Sequence, residues 1–262
     1  MKILKLTISL AIIIFAFSSC KKEVSNLKSS EFLEVQEKNM GVVAKRTATW
    51  CGPCGDWGFS SFEDFKAQYK DEAVYMAFKT AFTSKGDTYY DKVTSLFGIP
   101  AVTPVFFYNF DTINGTNFQG LGSVSEHNHA EVIANSNYEY TLTEDKIQLN
   151  TTTKFFKSVE GDYVISPFLI LDNQVGPQLG HPDTPNTVHP SFVANLAHPK
   201  DITTQESWAY KVASGKIEEG HQINLEFEVD RDIEWTEDDI SFALILFKRV
   251  GSKYKFINAF TK

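Results

Sequence analysis

Apolar and polar positions change rhythm partway along the chain. Before about residue 137, apolar runs alternate with stretches of helical period; after it, almost every apolar run has period two. Residues 41–48 (GVVAKRTA) predict a strand. Phe59, Phe62, Phe65 and Tyr69 then recur at spacings of three and four, the stripe of an amphipathic helix. That helix would begin at Cys51, with Gly55 and Gly58 weakening its first turns by about 1 kcal/mol each relative to alanine. Residues 73–79 predict a second strand and 87–97 a short helix with Tyr89, Val93 and Leu96 inward and Gly98 as its stop. A third strand is expected at 105–110, a fourth at 117–121 after the Asn114-Gly115 turn, and a closing helix at 125–134.

The remaining 125 residues show no helical period. Ile223, Leu225, Phe227 and Val229 alternate with polar neighbours, the mark of a strand with one wet face, whereas 242–247 (FALILF) is apolar on both faces and suits a central strand. Further strands are expected at 138–142, 147–153, 163–171, 188–197, 208–212 and 254–260. Short strands separated by Gly, Pro, Asp and Asn turns predict a β-sandwich of the immunoglobulin or jelly-roll kind. The fold class expected is thus an α/β unit followed by an all-β sandwich, with the boundary at 137/138.

The first residues set the compartment. Lys2 and Lys5 precede an apolar run at 8–17, and Phe17-Ser18-Ser19-Cys20 closes it, the pattern of a lipoprotein signal peptide. The run is about half the ~20 residues a membrane span needs. Cleavage after residue 19 would leave Cys20 as the lipidated first residue, 20–30 as a polar tether, and 31–137 and 138–262 as the two folded units. Of the three cysteines, only Cys51 and Cys54 would then remain as thiols, so no structural disulfide competes with them. The formal charge of −8 falls to −10 with the loss of Lys2 and Lys5. An acidic chain without a basic stripe excludes nucleic acid as a partner.

Trp50-Cys51-Gly52-Pro53-Cys54 carries the chemistry. Two cysteines separated by two residues close a small disulfide and reopen it reversibly. A thiol attacks only as thiolate, and a helix start beneath Cys51 would aim N–H groups at its sulfur, drawing its pKa from about 8.5 toward neutrality. A C-x-x-C can also be half of a zinc site, but no second cysteine pair exists and no histidine lies within about thirty residues of it in sequence. With its flanking Trp and Gly-Pro, the segment resembles the redox motif of the thioredoxin superfamily. The resemblance implies a thioredoxin-like α/β unit, Cys51 as nucleophile, Cys54 as the resolving thiol, Trp50 and Pro53 supporting the site around Gly52, and a nearby cis-proline. Pro104, preceded by Thr103, is assigned that place, with Pro100 as competitor. One departure stands out: where the family carries a buried acid six residues before the first cysteine, this chain has Lys45, followed by Arg46. A lysine there cannot act as that carboxylate; near the sulfurs it would favour thiolate and a more oxidising pair.

The order of parts is similar to that of exported outer-membrane lipoproteins of Gram-negative bacteria with an N-terminal thioredoxin-like domain and a C-terminal β-sandwich. Residues 169–178 (LILDNQVGPQ) and 187–196 (TVHPSFVANL) resemble strand elements of that family. The resemblance implies a lipid-anchored protein of the cell envelope, acting on protein thiols or disulfides and exchanging electrons with a membrane-linked donor or acceptor, without cofactor or metal. The direction of transfer stays open. So does a second class, a surface binding or adhesion protein whose sandwich carries the function and whose redox pair is vestigial. Copper delivery is disfavoured, because no histidine is placed to complete a Cys-Cys site. His181, His189 and His198, in or near the long connection 172–188, and His127 and His129 are read as solvated or hydrogen-bonded side chains rather than ligands.

Overall fold

All eight residues of β1 (Gly41–Ala48) are buried, because the strand is covered on both faces and paired on both edges. It runs parallel to β2 (Ala73–Thr80) and antiparallel to β3 (Val105–Tyr108). One face carries Val43 and Tyr75 under Phe62 and Phe65; the other carries Val42, Ala44, Met76 and Phe78 against Tyr89 and Val93. The computed structural model describes residues 31–82, 84–111, 121–199, 208–232 and 234–262. The signal segment, Cys20, the tether and residues 117–120 of the expected fourth strand lie outside them.

The helix expected from Cys51 is two helices, α1 (Gly52–Gly55) and α2 (Trp57–Gln68), broken at Asp56, whose ψ of −107° is not helical. α3 (Ser84–Phe97) follows β2, and Gly98 stops it with φ +69°. β3 ends two residues earlier than expected, because Asn109 and Phe110 turn left-handed (φ 51° and 57°). That turn sends Phe110 into the core and lets Asn109 Oδ1 accept from Val42 N. The helix expected at 125–134 is α4 (Leu121–Asn128). Asn128 ends it by accepting from Gly41 N (2.8 Å) and donating to the Glu72 carbonyl (2.6 Å).

The second half is all strand apart from a short 3-10 turn, Glu237–Asp239, among the described residues. In order come β4 (Ala134–Leu142), β5 (Lys146–Phe155), β6 (Val159–Glu160), β7 (Asp162–Leu171) and β8 (Gln174–Gly176). Next are β9 (Thr187–His189), β10 (Phe192–Leu196), β11 (His198–Pro199), β12 (Tyr210–Ala213) and β13 (Lys216–Ile217). The chain closes with β14 (Gln222–Asp230), β15 (Ile240–Val250) and β16 (Lys253–Phe260). β11, β14, β5 and β4 form a four-stranded antiparallel sheet. It packs on the main sheet through pairs such as Tyr138–Phe242 and Tyr210–Phe227, at 5.7 and 5.6 Å between ring centres.

The strand expected at 188–197 is split. Ser191 turns left-handed (φ 54°), so β9 pairs with β8 in a small ribbon and only β10 joins the main sheet. That junction joins the two halves. The main sheet runs β16-β15-β7-β10-β2-β1-β3, with β12 also on β7, and Phe192 of β10 pairs in parallel with Ala77 of β2. A mixed sheet and a common core pass through both halves of the chain, and position 137/138 lies within β4. Phe78 of β2 contacts Phe107 and Phe110 on its own side and Phe168 and Trp208 from beyond residue 137. Residues 31–37 lie along the four-stranded sheet, where Asn135, Asn137 and Asn224 donate to the carbonyls of Gln36, Glu34 and Glu31.

Candidate redox site

β1 delivers Trp50 and Cys51 at its C-terminal end, where burial of the strand fixes the direction of exit. Cys51 is the N-cap of α1, and its sulfur accepts a hydrogen bond from Cys54 N at 3.2 Å. Pro53 suits the first turn, since its missing N–H costs nothing there. Cys51 and Cys54 form a disulfide with 5.2 Å between their Cα atoms. α1 is a single turn, so the local Cys54 N–H, rather than the dipole of a long helix, is what faces the Cys51 sulfur.

Thr103 is within reach of both sulfurs. Its carbonyl oxygen lies 3.6 Å from Cys51 Sγ and its hydroxyl oxygen 3.4 Å from Cys54 Sγ. The Thr103–Pro104 peptide is cis, and Pro100 does not follow a cis bond. Trp50 is exposed beside the pair, Gly52 is half-buried and Pro53 exposed. Lys45 is buried on the face of the sheet beneath α2. Its Nζ lies over the rings of Phe62 (4.1 Å) and Phe59 (5.0 Å). Lys45 thus sits under the aromatic stripe of α2. Burial pushes the Lys45 ammonium down to about 7, a fall that Glu63 opposes and Lys66 deepens.

Two groups that sequence reasoning did not connect join Lys45. Lys79 is buried on the same face, one strand over, and approaches His189 Nδ1 at 2.8 Å. His189 Nε2 lies 3.3 Å from the Gly176 carbonyl. The arrangement that satisfies both has His189 donating through Nε2 to Gly176 and accepting from Lys79 through Nδ1. Burial, then the charge of Lys45, pushes Lys79 down to about 6. Burial, then Lys79, pushes His189 down to about 4, against its bond with Gly176. His181 packs on Phe59 at 4.4 Å, and His198 Nδ1 bonds the Tyr210 hydroxyl.

The connection 177–186 from the second half lies on the C-x-x-C turn. Gln178, buried to 1% exposure, donates through Nε2 to the carbonyls of Ala48 (3.0 Å) and Cys51 (3.2 Å). Leu179 N donates to Thr49 O at 2.8 Å. The backbones then interlock at glycines. A Cβ on Gly180 would lie 2.2 Å from Gly52 O, and one on Gly55 would lie 2.2 Å from Leu179 O. Under this strap Cys51 is only 5% exposed and Cys54 1%. Within the sequence, only the length of the 172–188 connection pointed to it. A cavity of about 530 Å³, lined by Lys66, Ala73, Ile170 and Asp172 among others, opens at the far end of β2 and does not include the cysteines.

Fold and site together define a mostly β protein whose mixed sheet presents a C-x-x-C disulfide at a helix start. A solved structure of HBP35 of Porphyromonas gingivalis is similar to it, with a TM-score of 0.66 over 87% of this chain and 76% of that one, at 16% identity. At that identity the likeness is one of fold. A domain of the outer membrane lipoprotein Omp28 from Porphyromonas gingivalis (7% identity, 86% of that chain) matches half of this chain with a TM-score of 0.27. A β-glucosidase from Kluyveromyces marxianus (10% identity, 14% of that chain) matches half of it equally well, at 0.27, a level that carries no argument. No family model and no curated protein matches the chain.

Proposed function

We propose that this protein is a thiol–disulfide oxidoreductase acting on protein disulfides outside the cytosol, with Cys51 as nucleophile and Cys54 as resolving thiol. The observation that carries the reading is the closed Cys51–Cys54 pair at the start of α1, with Thr103 in reach of both sulfurs. In the reducing direction, Cys51 thiolate attacks a partner disulfide and expels one partner sulfur as thiolate, leaving a mixed disulfide. Cys54, having given up its proton, attacks Cys51 Sγ; the second partner thiolate leaves and the pair is closed. Two electrons pass to the partner, whose two thiolates take up the protons, and a membrane-linked dithiol donor reopens the pair. The oxidising direction is the same sequence reversed.

In this reading residues 31–137 are a thioredoxin-like unit and 138–262 a sandwich, joined by the shared sheet, with Cys20 as lipid anchor in the envelope of a Gram-negative bacterium. Support comes from the strand order β2-β1-β3 around the C-x-x-C turn and from the signal-peptide pattern. The purified protein is expected to reduce insulin or reactivate scrambled ribonuclease, and Cys51→Ser to abolish both activities. Inactive wild type in both assays contradicts the proposal. The burial of the pair under the strap favours a second reading, in which the disulfide is a staple and the β-rich half binds a partner. Partner capture that survives loss of both cysteines would mark that one.

A further inference from the structure

β1 breaks its apolar run with three successive polar residues, Lys45, Arg46 and Thr47, all buried. The least expected is Arg46. On the α3 face of β1, its guanidinium stacks over the Tyr90 ring at 3.5 Å. Nε donates to the Tyr90 carbonyl (3.1 Å) and Nη1 to the carbonyls of Val102 (3.2 Å) and Pro100 (3.5 Å). The acidic group paired with it, Asp91, is mostly exposed and 3.9 Å from Nη2. A buried guanidinium is costly, and this one is spent on backbone carbonyls of two separate segments, α3 and the 100–102 loop. The next residue of that loop is Thr103.

Arg46 closes the loop from the other side as well. The Thr103 hydroxyl donates to the Arg46 carbonyl at 3.0 Å. A hydroxyl has one proton, and a carbonyl oxygen competes for it better than sulfur does. What Thr103 Oγ1 offers Cys54 Sγ, 3.4 Å away, is therefore a lone pair. In the reduced pair a Cys54 thiol can donate to that lone pair, and a Cys54 thiolate cannot use it. Held this way, Thr103 keeps the resolving thiol protonated.

We infer that Arg46 is a positioning residue of the redox site: by clamping the 100–102 loop it fixes Thr103 as an acceptor toward Cys54 and so sets how readily the resolving thiol ionises. The inference rests on the redox reading but is tested apart from it. Lysine at 46 keeps the charge and loses the fork that spans two segments, so the loop slackens and the Thr103 hydroxyl can turn to donate to a thiolate.

The test is the pH profile of iodoacetamide labelling of Cys54, resolved by peptide mass, in the full-length chain carrying Cys51→Ser. Arg46→Lys is expected to lower the apparent Cys54 pKa by about 0.5–1 unit, a roughly 3- to 10-fold rise in thiolate at pH 7. In a Thr103→Val background the same substitution is expected to leave the pKa unmoved, because the group it acts through is gone. Tyr90→Leu, which removes the stacking ring and its hydroxyl but keeps the Tyr90 carbonyl that Nε bonds, gives a smaller fall and tests the inference should Arg46→Lys not fold. Folded Arg46→Lys or Tyr90→Leu protein with an unchanged Cys54 pKa overturns the inference. So does an equal change in the Thr103→Val background; a merely structural role would lower thermal stability in both backgrounds and leave the pKa alone. No protein substrate is involved, so inactivity toward insulin and failure of this coupling appear in different experiments.

Discussion

Gly180→Ala is expected to lower the stability of the protein by about 2–5 kcal/mol and to expose its disulfide. Two costs add. Gly180 has φ +86°, a conformation that L side chains rarely adopt, and the new methyl group would sit 2.2 Å from the Gly52 carbonyl oxygen. The obstacle is backbone, so no flexible side chain can swing aside. Gly215→Ala separates the two terms. Gly215 has φ +79° with nothing within 4 Å of its Cβ position, so it should cost only the backbone term, about 1–2 kcal/mol. Because the Gly180 methyl acts by lifting the strap, reduction of Cys51–Cys54 by a small phosphine should quicken in that variant and stay unchanged in Gly215→Ala. Equal losses in the two variants, with equal reduction rates, would show that the strap does not bear on the pair.

The second large effect concerns Lys45, and its sign depends on pH. Lys45 falls from an ordinary 10.5 in the unfolded chain to about 7 in the folded one. Between those values the unfolded chain binds more protons, so stability rises with pH from about 7 to 10.5. Below about 7 the folded protein bears the whole cost of a buried ammonium. Lys45→Met keeps the shape and removes that cost. It is expected to stabilise the protein by about 2–4 kcal/mol at pH 7, with the gain fading toward pH 10.5. Urea unfolding at both pH values reads this directly. A gain that does not depend on pH, or a loss at pH 7, would mean the ammonium is compensated by a group that faces it. Lys79 and His189 act in the same sense at lower pH, from about 6 and about 4 upward.

Local pattern revealed most of the elements, and its failures have identifiable causes. The runs at 41–44 and 73–78 marked β1 and β2 because strands buried on both faces favour apolar sequence, and β1 continues through the buried polar residues Lys45, Arg46 and Thr47. The run at 105–110 carried no mark of where its strand would stop, since Phe110 is as apolar in a left-handed turn as in a strand. Pairing of β10 with β2 joins Phe192 to Ala77 across more than a hundred residues, and such a contact leaves no periodicity in either segment. At the site, Cys51, Cys54, Thr103 and Pro104 were legible from spacing and resemblance. Gln178 was not: a glutamine in a loop is ordinarily solvated, and its burial arises only because the strap folds back on the Ala48 and Cys51 carbonyls. Arg46 stood in view beside Lys45, but the carbonyls it bonds belong to α3 and to the loop after it.

The central claim, that Cys51 attacks partner disulfides and Cys54 resolves them, is tested most directly by trapping. Full-length Cys54→Ser protein would be produced in its own cell envelope, quenched with acid, and analysed for partners bound through Cys51. The account predicts discrete mixed disulfides that vanish with reductant and are absent from Cys51→Ser and from the double variant. Absence of any Cys51-linked partner in Cys54→Ser, in cells where that protein is folded and exported, would contradict it.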